Sequence, residues 1–168
     1  MRCQSLRHAA AVATVLAGFT LANTPTPRAA TKDTVDDVVK AGREAGIELT
    51  ALVNDLTRKG ASATGETKQQ LDAQVAAVKK IQPLVARLES DRAFAKQALD
   101  FSAKSDKSGL AALWTKTLGL PLEVRDIKDW SVYAIYVVNG YSWEVCISSD
   151  ASCGGSYAYH RMIGKAKS

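Results

Sequence analysis

Glu144, His160 and Arg161 are the residues of this chain best suited to acid–base chemistry. A carboxylate as general base, an imidazole as general acid and a guanidinium facing a developing phosphorane charge would suit metal-independent RNA cleavage through the 2′-hydroxyl. No glycine-rich phosphate loop, nucleophile elbow or metal-ligand spacing accompanies them. Cys146 and Cys153 form the other reactive pair. With only His160 nearby they fall short of the four ligands of a structural zinc, and in an exported chain an even pair reads as a disulfide. A loop this short would contribute on the order of 2–3 kcal/mol. Neither a metal nor a cofactor is expected.

These residues need a sheet to hold them. Ser131–Val138 and Tyr141–Ile147 are rich in aromatic and β-branched residues and flank Asn139-Gly140, the signature of a hairpin with a type I′ turn. A two-residue loop places Val138 opposite Tyr141, Tyr136 opposite Trp143, Ala134 opposite Val145 and Val132 opposite Ile147, all on one apolar face. Tyr133, Ile135 and Val137 then lie on the other face, opposite Cys146, Glu144 and Ser142. After a turn-rich loop, Ser148–Ser156, the segment Tyr157–Gly164 reads as a third strand. His160 and Arg161 are adjacent in it and must point to opposite faces, so only one of them can join Glu144. The plain alternative for both His160 and Glu144 is a strand residue with no chemical role.

Tyr133, Tyr136, Tyr141, Trp143, Tyr157 and Tyr159 are more aromatics than one buried face can use. Such rings give large contact area at low entropy cost, so Tyr133, Trp143, Tyr157 and Tyr159 are the candidate binding residues. The ligand classes that fit are a protein or peptide and, secondarily, a cell-wall sugar.

Ahead of the sheet the pattern is helical. Val35, Val38, Val39, Gly42, Ala45, Gly46, Leu49, Leu52, Val53 and Leu56 follow three-and-four spacing, with Thr34 and Asp37 as a start signal and Gly60 as a stop. Gly42 and Gly46 invite close approach of another backbone. After a Gly60–Gly65 linker, Thr67 and Gln70 read as a capping box for a longer second helix with the stripe Leu71, Val75, Val78, Ile81, Val85 and Leu88, continuing to Phe94, Ala95 and Leu99. Pro83 predicts a kink or break near Gln82. A short third helix spans Ser108–Leu118 and ends at Gly119 and Pro121, whereas Leu122–Trp130 fits strand and helix equally.

The first thirty residues set the compartment. Arg2 and Arg7 precede the apolar run Ala9–Ala22, and no acid occurs before Asp33. This is the layout of an export signal, too short for a comfortable membrane span and too uniformly apolar for a transit peptide. Small residues offer cuts after Ala22 or near Ala29-Ala30. A cut near Ala30 takes three arginines from a net charge of +5 and leaves +2. That is too little to single out a phosphate backbone, so nucleic acid is an unfavoured partner.

The resulting expectation is an α+β protein. Residues 1–30 are a cleaved leader and spacer, and 31–168 are one domain with a helical part, 31–119, and a β part, 130–164. The helical part is an antiparallel hairpin plus a short third helix; the β part is a three-stranded antiparallel meander closed by Cys146–Cys153. The expected protein is secreted or periplasmic, with no stable membrane anchor after cleavage. It acts by non-catalytic binding of a protein partner, as an inhibitor, an immunity-type protein or an envelope accessory factor. The alternative is a secreted toxin or effector, a metal-independent ribonuclease using Glu144 and His160.

Overall fold

Among the described residues, four helices precede a four-stranded antiparallel sheet, an α+β arrangement. The structure, a computed structural model, describes residues 33–166; the expected leader lies outside them. Helix α1, Val35–Ser62, opens on a reciprocal cap: Asp37 N–H donates to Thr34 Oγ1 (3.3 Å), and Thr34 N–H donates to the Asp37 carboxylate (2.7 Å). Its buried stripe is Val38, Ala41, Gly42, Ala45, Leu49, Leu56 and Gly60. Gly60 therefore packs inside the helix and does not end it; only Ala63 and Thr64 connect to helix α2, Gly65–Ser90. The cap of α2 falls at Thr64, without a side-chain hydrogen bond, in place of the box expected at Thr67 and Gln70.

Pro83 lies inside α2, and the helix continues through it. Both Pro83 and Lys79, whose carbonyl loses its donor, are exposed, so water can take that hydrogen bond. The break comes instead at Asp91, whose carboxylate accepts from Phe94 N–H (3.0 Å) and starts helix α3, Arg92–Ala103. Helix α4, Lys107–Leu118, is capped by Asp106 and closed by Gly119 in the left-handed region (φ 62°).

Helices α1 and α2 form the expected antiparallel neighbours, and Gly42 sets their separation. A Cβ there would lie 2.6 Å from the Glu89 backbone nitrogen and 2.8 Å from both Leu88 Cβ and Val85 O. At Gly46 the nearest atom would be Val85 Cγ2 at 3.9 Å, an ordinary contact.

The meander has one strand more than expected. The ambiguous segment after α4 is strand β1, Leu122–Ile127, followed by β2, Ser131–Val138, β3, Tyr141–Ser148, and β4, Ala158–Lys165, in the order β1-β2-β3-β4. Pairing against β2 settled that segment: Leu122 faces Tyr136 and Val124 faces Ala134, with a bulge at Arg125. Asn139 (φ 53°) and Gly140 (φ 75°) make the two-residue turn, and the β2–β3 register is the expected one at every pair. The disulfide Cys146–Cys153 joins β3 to the loop before β4.

Val132, Ala134, Tyr136, Trp143, Val145 and Ile147 point inward and join Leu49, Ile81, Leu84, Leu88, Phe94, Leu110 and Trp114 in one core. Side chains from the helices also engage both outer strand edges. Leu122 N–H donates to Thr115 Oγ1 (3.3 Å) and Lys107 Nζ donates to the Arg125 carbonyl (2.7 Å) at β1. At β4, Ala158 N–H donates to Glu48 Oε2 (2.7 Å) and Gln74 Nε2 donates to the His160 carbonyl (3.3 Å). Such engagement blunts strand addition at either edge.

The two glycines separate by experiment. Gly42→Ala should lose about 1–3 kcal/mol in urea denaturation, because the atoms it meets are backbone and cannot swing aside. Gly46→Ala should be neutral or gain up to about 1 kcal/mol from helix propensity. Equal effects of the two would refute the assigned approach of the helices.

Candidate functional site

The strand pairing sorts the candidate residues onto two faces. Val145 pairs with His160 and Glu144 with Arg161, so His160 is inside and Glu144 and Arg161 are outside. His160 and Trp143 are buried, with their rings stacked 5.2 Å apart at 24°. The Tyr136 hydroxyl donates to the Ala77 carbonyl (3.1 Å) and lies 2.5 Å from His160 Nε2. That places the ring proton on Nε2 and leaves Nδ1 an acceptor, and no polar partner reaches Nδ1 among the described residues. A second proton would have nowhere to donate. Burial accordingly pushes the imidazole down to about 4, from an ordinary 6.5.

Two sequence expectations are corrected by this geometry. Glu144 and His160 cannot serve one substrate as base and acid, because the sheet separates them. Trp143 cannot be a binding residue, because the inner face is the face that packs on the helices; its Nε1 donates to the Val138 carbonyl (3.0 Å). Tyr157, ahead of β4, is half-buried under Lys40, whose Nζ lies 5.2 Å from the ring centre.

Tyr133 and Tyr159 do reach the outer face, where they flank Cys146 in the ladder and pack at 6.4 Å between ring centres. The Tyr159 hydroxyl donates to Glu144 Oε1, and Arg161 reaches the same oxygen through Nε (3.0 Å) and Nη2 (2.8 Å). Arg161 also lies over the Tyr159 ring at 5.4 Å. Burial, then the Glu144 hydrogen bond, raise the Tyr159 phenol above its ordinary value. The result is a pre-ordered cluster of two rings and an ion pair, in which no partner among the described residues engages Glu144 Oε2.

Two hollows flank this cluster. Toward the β2–β3 turn, Pro121, Leu122, Ile135, Tyr136 and Val137 together with the acidic Glu123 line a largely apolar groove of about 420 Å³, in which Val137 is 49 % exposed. Toward the β1–β2 turn, a polar cleft of about 490 Å³ runs past Tyr133 between Glu144 and Asp150. Its far wall is the loop pinned by the disulfide. Ser148 Oγ donates to Asp150 Oδ1 (2.7 Å) and lies 2.9 Å from Ser152 Oγ, which also hydrogen-bonds Ser131 Oγ. Bonds from Ser148 and Ser152 hold the Asp150 carboxyl below the usual range. The cleft was missed in the sequence because Asp150 and Ser152 look there like turn residues, Asp126 lies in the ambiguous Leu122–Trp130 segment and Ser131 starts a strand; only strand pairing brings them together.

A separate groove of about 600 Å³ lies on the helical layer between α1 and α2, beside Ile47, which is 60 % exposed. Among the described residues, no group of three or more His, Cys, Asp or Glu is placed to hold a metal, and no helix is long and apolar enough to cross a membrane. No protein-family model, curated protein or solved structure matches the chain. What the site does is therefore argued from its own geometry.

The buried imidazole has a measurable consequence. Below pH 6.5 the unfolded chain binds a proton at His160 that the folded chain refuses until about pH 4. The stabilisation is complete above pH 6.5 and should fall by on the order of 3 kcal/mol as the pH drops to about 4. His160→Phe keeps a ring against Trp143 and should flatten that slope in urea titrations. An unchanged slope would mean that His160 is not the group responsible.

Proposed function

We propose that this is an exported protein that binds a protein partner, without catalysis, on the outer face of its sheet. The class is that of an inhibitor, an immunity-type protein or an envelope accessory factor. The observation that carries the reading is the outer face itself: exposed Val137 and half-buried Ile135 and Tyr133 beside a pre-ordered Tyr159–Glu144–Arg161 cluster. Aromatic and arginine anchors next to apolar area are the composition of interface centres. Engagement of both sheet edges by helical side chains favours face docking over strand addition. Export is supported by the N-terminal pattern of Arg2, Arg7 and Ala9–Ala22, and the disulfide fits an oxidising compartment.

The toxin reading retains one support, since Glu144 and Arg161 share a face, but the sealed His160 removes its general acid. RNA incubated with the protein should remain intact. Cleavage that is lost in Glu144→Gln would instead establish the toxin reading.

Affinity capture from envelope extract and culture fluid, with the oxidised protein as bait, tests the leading proposal. It should retain one stoichiometric protein. Val137→Asp should lower retention by about tenfold or more, equivalent to about 1.4 kcal/mol, with the thermal midpoint unchanged. A partner held equally well by Val137→Asp would place the interface elsewhere.

A further inference from the structure

We propose that the polar cleft beside Tyr133 is a binding site for a neutral saccharide. The proposal shares Tyr133 and the Glu144 cluster with the protein-partner reading but does not need it, since the cleft lies toward the β1–β2 turn and Val137 lies outside it. Its volume, about 490 Å³, lies in the range of small-ligand sites.

The charge pattern selects the ligand. Asp126, Asp129, Glu144 and Asp150 contribute four carboxylates, but Arg125 and Lys128 also line the cleft. Arg161 reaches Glu144 at 2.8 Å and Lys107 reaches Asp126 at 3.7 Å, while Arg125 is itself paired with Glu123 at 3.1 Å, which leaves five carboxylates against four cations. With the signs so nearly matched, the cleft has little net field with which to draw a phosphate or a polycation. It instead presents closely spaced donors and acceptors on fixed backbone. Tyr159 and Arg161 both bind Glu144 Oε1, and no other described residue takes Oε2. At the other end Ser131, Ser148, Ser152 and Asp150 form one hydroxyl–carboxylate chain. Between the two ends stands Tyr133, half-buried, with its ring buttressed by Tyr159 at 6.4 Å. A sugar ring matches this layout: its apolar C–H side lies against an aromatic ring, while adjacent hydroxyls both donate to carboxylates and accept from cations. The wall is held in place before binding, because Cys153 ties the loop carrying Asp150 and Ser152 to Cys146, buried between Tyr133 and Tyr159 in the ladder. That lowers the ordering cost which weakens most sugar sites.

The test is an amide-resolved NMR titration of the full oxidised protein against a panel of neutral mono- to tetrasaccharides. The panel covers gluco-, galacto-, manno- and N-acetylhexosamine units, with inorganic phosphate and a lysine-rich and a glutamate-rich peptide as comparisons. At least one saccharide should shift the amides of Ser131, Tyr133 and Ser152 saturably. Tyr133→Ala and Asp150→Asn should each weaken it by about tenfold or more, while Tyr133→Phe, which keeps the ring, should stay within about threefold. Loss of binding equally in Tyr133→Ala and Tyr133→Phe would remove the stacking role and overturn the proposal. So would the absence of any saturable shift up to about 10 mM saccharide, or cleft shifts produced only by phosphate or a peptide. Retention of a protein partner in the Val137→Asp experiment bears on the other reading alone, so the two can fail separately.

Discussion

The parity set by the two-residue turn at Asn139-Gly140 governs every functional statement about this molecule. Both residues take positive φ, which suits the turn's twist to the strands it joins and fixes Val138 opposite Tyr141. From that pair outward, alternate side chains are committed to the core or to solvent. A slip of β3 by one residue against β2 would turn Glu144 into the core and Trp143, Val145 and Ile147 into water, at a cost of about 1.5–3 kcal/mol for each buried side chain exposed.

The helical layer reinforces this choice from below. Gly42 lets α1 sit against the α2 backbone, and the closely joined pair offers the inner sheet face an apolar floor. Several polar groups at that junction pair across layers. The Tyr136 hydroxyl meets the Ala77 carbonyl, and Glu48 and Gln74 take backbone groups of β4. A buried hydrogen bond contributes only about 1 kcal/mol net, but leaving such a group unpaired costs more, so these contacts specify how the sheet lies on the helices more than they stabilise it.

Much of this was legible in the residues and some was not, for identifiable reasons. The hairpin and its register could be read because turn chemistry and alternation agree there. The opposite orientation of His160 and Arg161 follows from adjacency alone. The assignment of Trp143 to a binding face failed because aromatic content does not say which rings the core takes; β2 and β3 used Tyr136 and Trp143 inside. Strand β1 was ambiguous because its period is interrupted by the bulge at Arg125, and only pairing with β2 resolves it. The break at Asp91 was misplaced onto Pro83 because a proline on a solvated helix face is tolerated, while an aspartate can cap whatever follows it. The cleft was hidden because its lining is drawn from three turns and strands distant in sequence.

Exposed Val137 with half-buried Ile135 on the sheet, and Ile47 beside the α1–α2 groove, compete as the docking surface; exposed Ile163 on β4 lines neither groove. Hydroxyl-radical footprinting of the oxidised protein, alone and in envelope extract, distinguishes them directly. The account predicts protection of Ile135, Val137 and Tyr159 with Ile47 unchanged. Protection of Ile47 with the sheet face still reactive would contradict it, and would move the recognition surface to the helices.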